Sequence, residues 1–245
     1  MEGLSAQRPE VPKKNRLNIW LMIGLLFFAV IMGILITITS TPAFQLLSSF
    51  CNEPYKMPSV SMEPTILARE QVLANSCAYD GEYKPQIGEV VVFTSPTDSD
   101  VDYMKRIVAV AGDKIKIASG KFERNGQEVP TTRPDNETQL LRSLTEDQSE
   151  TQIFVEELDG HQHLIARFTD SLSKFVGWSI KDGEWKVPAD HVFVMGDNRD
   201  MSADSRSFGP IPSSSVHARV EFIYASPHGF ERFFEPIDTL GIDQP

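Results

Sequence analysis

Cysteine and histidine are scarce. Two cysteines and five histidines occur in 245 residues, and none falls in a CxxC or HExxH spacing, so a structural zinc site is not expected. Basic charge is short as well. Against 34 Asp and Glu stand 23 Lys and Arg, a formal net charge of −11 with a pI of about 4.9. Binding a phosphate backbone requires a cationic surface, which excludes nucleic acid as the main partner. No internal repeat or low-complexity tract is visible. Hydrophobic residues at 41% and charged residues at 23% exclude a wholly disordered chain. Sixteen prolines and fifteen glycines favour many turns and hence a β-rich fold.

One apolar run stands out. Residues 19–38 carry no charge, and Thr37 is their only clearly polar side chain. As a helix the run spans roughly 30 Å, the thickness of a bilayer core, and Trp20 sits where an interfacial aromatic is favourable. A cleaved secretory signal has an apolar region of about 7 to 15 residues. This run is longer, although Thr39 to Ala43 would serve as a small-residue cleavage site. A helix buried in a soluble protein would show a polar face, and none is present. The run is therefore read as a transmembrane anchor. Arg8, Lys13, Lys14 and Arg16 precede it, and the next basic residue is Lys56, which places the N-terminus in the cytoplasm and the rest outside. Beyond the tail lie 19 basic and 32 acidic residues, a body of charge −13. Cys51 and Cys77 fall in this exported part, where disulfides form, but sequence alone leaves their pairing open.

The chain divides into a cytoplasmic tail (1–17), the anchor (18–40), a linker (41–54), a first core segment (55–118), an insertion with β-hairpins (119–186) and a second core segment with the C-terminus (187–245). Strand patterns occupy Val90–Phe93, Tyr103–Val110, Lys114–Ile117, Phe154–Leu158, Leu164–Phe168, Val192–Met195 and Val220–Tyr224. Asn125-Gly126 and Asp182-Gly183 carry the type I′ hairpin signature. The fold class is mainly β behind one N-terminal helix. Gly229–Phe234 reads as aromatic core packing, with contact to lipid as the alternative.

Three segments could carry chemistry. Pro58–Thr65 (PSVSMEPT) places two serines in a proline-stiffened turn, which suits either a plain turn or a rigidly held nucleophile. Lys105 lies within an otherwise apolar strand. Alternation places Tyr103, Lys105, Ile107 and Ala109 on one face, and Met104, Arg106, Val108 and Val110 on the other. Each face thus holds one cation, and at least one of them risks desolvation. Burial makes a lysine neutral far more readily than an arginine, and a neutral lysine is a competent general base. The bland alternative is a lysine whose amine reaches water at the strand edge. Gly196–Gly209 concentrates Asp, Asn, Ser and Arg after an apolar strand, the composition of a loop locked by its own hydrogen bonds. His161 and His163, two apart, read as a solvated pair.

PSVSMEPT (58–65), GEVVVF (88–93), DYMKRIVAVAGD (102–113) and GDNRDMSADSRSFG (196–209) occur in this order behind an apolar span. In this the sequence resembles bacterial type I signal peptidases, membrane-bound proteases of the serine–lysine class. The blocks cover about a sixth of the chain and are specific together. The resemblance implies Ser61 as nucleophile and Lys105 as its general base, with the Ser59 hydroxyl and the Ser61 backbone N–H forming the oxyanion hole. It further implies that Ser202 hydrogen-bonds the lysine amine and that Asp204 and Arg206 form a supporting ion pair. Tyr55, Met57, Met62, Ile66, Val92, Tyr103 and Met104 would line the substrate pocket. Met201, Ala111 and Phe208 depart from the family's usual Asn, Pro and Trp.

The implied activity is a membrane-anchored serine endopeptidase that removes signal peptides after small residues, needing no metal or cofactor. Its partners would be signal peptides of secreted preproteins, the lipid bilayer and the protein-export translocon. Its place would be the bacterial inner membrane, with the catalytic domain on the periplasmic or outer side. A self-cleaving repressor-like serine–lysine protease and a membrane-tethered β-rich binding protein remain alternatives.

Overall fold

The structure is a computed structural model that describes residues 24–32, 51–81, 83–145, 150–169 and 182–237. The chain forms two compact units, Met1–Ser49 and Phe50–Pro245. In the first, residues 24–32 form helix α1 inside the apolar run, with Leu25, Leu26, Phe27 and Phe28 exposed. Among the described residues no helix is long and apolar enough to cross a membrane. The rest of the expected 18–40 span lies outside them.

The second unit is mainly β. It begins with β1 (Asn52–Lys56), β2 (Gln71–Asn75), β3 (Val90–Thr94) and β4 (Asp102–Val110). Next come β5 (Lys114–Ala118), β6 (Lys121–Arg124), β7 (Gln127–Glu128), β8 (Thr131–Thr132), helix α2 (Glu137–Ser143), β9 (Thr151–Leu158) and β10 (His161–Phe168). Then follow β11 (Gly183–Lys186), β12 (His191–Met195), the single-turn helix α3 (Ser205–Phe208), β13 (Ile211–Pro212), β14 (Val216–Ala225) and β15 (Glu235–Pro236). The largest sheet has the order β1-β2-β14-β3-β4-β12-β13, with β15 added to β14. A second sheet runs β11-β5-β6-β7 and a third β10-β9-β8.

Local sequence explains most of these elements. Val90–Phe93 is buried along its whole length, as a strand covered on both faces should be. β5 alternates exposed Lys114 and Lys116 with buried Ile115 and Ile117. Asn125 and Gly126 take φ of 55° and 80° between β6 and β7, the left-handed pair a type I′ turn requires. Asp182-Gly183 does not make the expected turn. Gly183 does not take the positive φ that such a turn requires and opens β11 opposite Ile117, where ladder pairing demands extended backbone.

Two strands fall where no pattern announced them. Residues 52–54, read as the end of a linker, belong to β1, and Gln71–Asn75 forms β2. Their ends are joined by a Cys51–Cys77 disulfide with Cα atoms 5.1 Å apart, which resolves the pairing that the sequence left open. The strict alternation expected along β4 also fails near its end. A register shift opposite Phe193 and Val194 inserts Val108 as an extra residue, so Ala109 joins one apolar cluster and Val110 packs against another with Ile107. Phe230 and Phe234 are 86% and 70% exposed, so the core-packing expectation for Gly229–Phe234 does not hold there. The turn they flank is held by Arg232, which is committed to the interior.

Candidate active site

Two loops and one strand meet at Ser61. The loop that carries Ser61 leaves β1 through Met57 and folds into successive turns, with Glu63 N–H donating to Val60 O and Ile66 N–H to Met62 O. Its apolar side chains, Met62 and Ile66, are fully buried, which fixes the loop from beneath and leaves Ser61 only 5% exposed. β4 brings Lys105 to the same point. Its Nζ lies 2.7 Å from Ser61 Oγ and donates to the Met104 carbonyl at 2.8 Å. Ser59 Oγ lies 3.2 Å from Ser61 Oγ.

Lys105 is 4% exposed and has no carboxylate within salt-bridge distance among the described residues. Burial lowers its pKa from 10.5 to about 8, against the opposing pull of Asp204 and Asp197. With one N–H committed to Met104 O, a neutral amine would aim its lone pair at the Ser61 hydroxyl. Arg106, one residue on, is equally buried and is paired. Its guanidinium bonds both oxygens of Asp197 at 2.9 and 2.8 Å and the Gly88 carbonyl at 2.7 Å. Desolvation alone would raise the Asp197 carboxyl, but Arg106 outweighs it and holds the group below its ordinary value.

The second loop, 196–204, follows β12. Asn198 N–H donates to Ser61 O at 3.1 Å, and its side chain donates to Val60 O. Asp197 accepts from Thr65 Oγ1 at 2.5 Å. Gly196 has no room for a side chain, because a Cβ there would lie 2.2 Å from Ser202 Oγ and 2.4 Å from Ser61 O. Asp204 caps α3 and forms a two-point ion pair with Arg206 at 2.8 and 2.7 Å, while Gly196 N–H donates to it at 2.9 Å. Burial would raise the Asp204 carboxyl, and Arg206 more than reverses this.

The structure therefore brings Ser59, Ser61, Lys105, Ser202, Asp204 and Arg206 into one neighbourhood. Ser202 differs from expectation in its bonding. Its Oγ is buried beside Gly196 and the Ser61 carbonyl, makes no well-formed hydrogen bond, and lies close enough to Asp204 to favour the carboxylate. Met57, Met62, Ile66, Val92 and Met104 share one apolar cluster with Tyr55 on its margin. Tyr103 does not join them. It packs against Phe93 and Phe208 at ring-centroid distances of 6.0 and 6.4 Å, with Lys105 Nζ 5.5 Å from its ring. His161 is exposed and His163 buried, so they do not form the solvated pair expected. A hollow of about 950 Å³ between Tyr79, Ile87, Val110, His161 and Val192 contains none of the predicted site residues. Among the described residues no cluster of three or more His, Cys, Asp and Glu side chains is arranged to hold a metal ion.

Sequence reasoning missed Asp197, Asn198 and Thr65, which tie the two loops together. Asp197 and Asn198 stand inside the Gly196–Gly209 block, whose density of polar groups was the only signal they gave.

Known proteins resemble this chain over most of its length. The family model for signal peptidase, peptidase S26, matches residues 25–225. The chain is 33% identical over 208 residues to a signal peptidase I of Pseudomonas fluorescens, covering 80% of this chain and 66% of that protein. It is 34% identical over 173 residues to a signal peptidase I of Pseudomonas aeruginosa, covering 65% of this chain and 56% of that protein. With a signal peptidase I of Aquifex aeolicus it shares 30% identity over 196 residues, covering 71% of this chain and 76% of that protein.

Proposed function

Because this chain belongs to the signal peptidase family, peptidase S26, a family of serine endopeptidases, we propose that it removes N-terminal signal peptides from exported preproteins by a Ser61–Lys105 dyad. The observation that carries the reading is the 2.7 Å contact between Ser61 Oγ and a buried Lys105 amine that has no carboxylate within salt-bridge distance among the described residues. The neutral amine takes the Ser61 proton as Oγ attacks the carbonyl carbon of the scissile peptide bond. The oxyanion that forms is stabilised by the Ser59 hydroxyl and the Ser61 N–H. The protonated Lys105 then gives its proton to the leaving nitrogen, releasing the mature protein and leaving the signal peptide esterified to Ser61. Lys105, neutral again, takes a proton from water as the water attacks the ester, and the return of that proton to Ser61 Oγ frees the acid product.

Met57, Met62, Ile66, Val92 and Met104, buried in one apolar cluster, would back the surface that receives small residues before the scissile bond, and Tyr55 at the cluster's margin would meet an extended chain. The apolar run at 18–40 would anchor the enzyme in the inner membrane with the body on the outer side. There it would meet signal peptides, the lipid bilayer and the export translocon. The test is cleavage of a preprotein by the purified chain. Ser61→Ala, Lys105→Met and Lys105→Arg should each abolish it, the last because arginine stays charged. Cleavage by any of them at the wild-type rate overturns the reading.

A further inference from the structure

The insertion contributes a hairpin, β9 and β10, that reaches the 196–204 loop. Ala166 N–H donates to Asp197 O, and Arg199 N–H donates to Ala166 O, both at 2.9 Å. Phe168 N–H donates to Asp200 Oδ2 at 2.6 Å. The loop's Arg199 is buried beneath this ladder. Its Nη1 donates to Glu156 Oε1 of β9 at 2.6 Å, its Nη2 donates to Glu156 Oε2, and its Nε donates to the Gly196 carbonyl at 3.2 Å. Glu156 and Arg199 are both almost wholly inaccessible to solvent. Burial alone would push the Glu156 carboxyl up, but Arg199 reverses this and keeps it ionised. His163 of β10 faces the same carboxylate, with Nε2 3.3 Å from Glu156 Oε2. Its own burial, reinforced by Arg106, holds the imidazole below its ordinary pKa.

These contacts form a continuous path. Glu156 fixes Arg199, Arg199 holds the Gly196 carbonyl, and the same stretch of loop donates from Asn198 N–H to the carbonyl of Ser61. We propose that Glu156 of the insertion is a positioning residue for the active site, holding through Arg199 the loop that clamps Ser61 and keeps water from Lys105. The inference rests on the peptidase reading above. It gives the insertion a role in the reaction rather than that of an appendage. A misplacement of the nucleophile by a fraction of an ångström slows chemistry without loosening substrate. A loop that admits water also returns Lys105 toward the pKa of a solvated amine.

The experiment uses the full chain and a preprotein, with kcat and KM measured across pH. Glu156→Gln should lower kcat at pH 8 by roughly 10- to 100-fold, leave KM within about twofold, and move the midpoint of the rise in kcat to higher pH. Glu156→Asp should restore part of the lost rate. Because Glu156→Gln leaves a buried guanidinium unpaired and risks the fold, the pair Glu156→Leu with Arg199→Met provides the second arm. It replaces both charges by apolar groups, should unfold no more readily than wild type, and should show the same loss in kcat and alkaline shift. Wild-type kcat and midpoint in the double variant overturn the proposal, as does a loss of rate that only follows the unfolded fraction with the midpoint unmoved. If wild type cleaves and Ser61→Ala does not, either result bears on Glu156 alone. If wild type fails to cleave, the peptidase reading and this inference fall together.

Discussion

Lys105 and Arg106 are neighbours on β4, each is a cation, and each is almost fully buried at 4% and 2% exposure. Their surroundings differ. Arg106 points to a face where Asp197 neutralises it and Gly88 takes a third hydrogen bond. Lys105 points to a face that offers a hydroxyl and a carbonyl and, among the described residues, no carboxylate in contact. One strand thus serves two purposes. The arginine is an ion-pair partner built into a buried scaffold. The lysine is desolvated with only the longer-range pull of Asp204 and Asp197 against it, which costs stability and, in the mechanism proposed above, makes it the base. Burial is common to both, and the contacting carboxylate is what separates them.

The contrast breaks most visibly in activity. Lys105→Met should slow preprotein cleavage by about 10⁴-fold, the upper range of general-base effects, as read by single-turnover cleavage at pH 8. The next effect falls on the other face. Arg106→Met strands the buried Asp197 carboxylate and should cost about 3–5 kcal/mol in urea unfolding. The third prediction has the opposite sign. Lowering the Lys105 pKa from 10.5 to about 8 corresponds to about 3 kcal/mol of destabilisation near neutrality. Lys105→Met removes that penalty and loses a hydrogen bond to Met104 worth about 1 kcal/mol, so the inactive variant should be about 2 kcal/mol more stable at pH 7. Equal destabilisation by Lys105→Met and Arg106→Met would erase the distinction between the two faces.

Much of this arrangement was legible in the sequence because strand cores, and cations set inside them, leave local marks. The apolar runs at β3, β4 and β12 were visible, and so were two cations inside one of them, with the faces of Lys105 and Arg106 correctly opposed. What stayed hidden is non-local. Nothing near Asp197 says that Arg106, far behind it in the chain, will take both its oxygens. Nothing at Glu156 distinguishes it from Glu157 beside it, yet the first is buried against Arg199 and the second exposed. β1 and β2 were missed because their residues, Asn52–Lys56 and Gln71–Asn75, have weak strand patterns and are held by pairing and by the Cys51–Cys77 link. The bulge at Val108 escaped because a period of two cannot foresee an extra residue accommodated by the partner strand.

The smallest effect tests the contrast without altering any residue. If only neutral Lys105 takes the Ser61 proton, kcat/KM should fall about tenfold per pH unit below the folded pKa, which lies at about 8. Stability should respond in the same direction for a different reason. Between about 8 and 10.5 the unfolded lysine still binds its proton while the folded one has lost it, so this group makes unfolding harder as pH rises through that window. Its destabilising effect is complete below about 8 and gone above about 10.5. Unfolding free energies of wild type and Lys105→Met, measured from pH 7 to 10, should therefore converge as the pH rises, and a constant gap across that range would contradict the assignment of the uncompensated amine to Lys105.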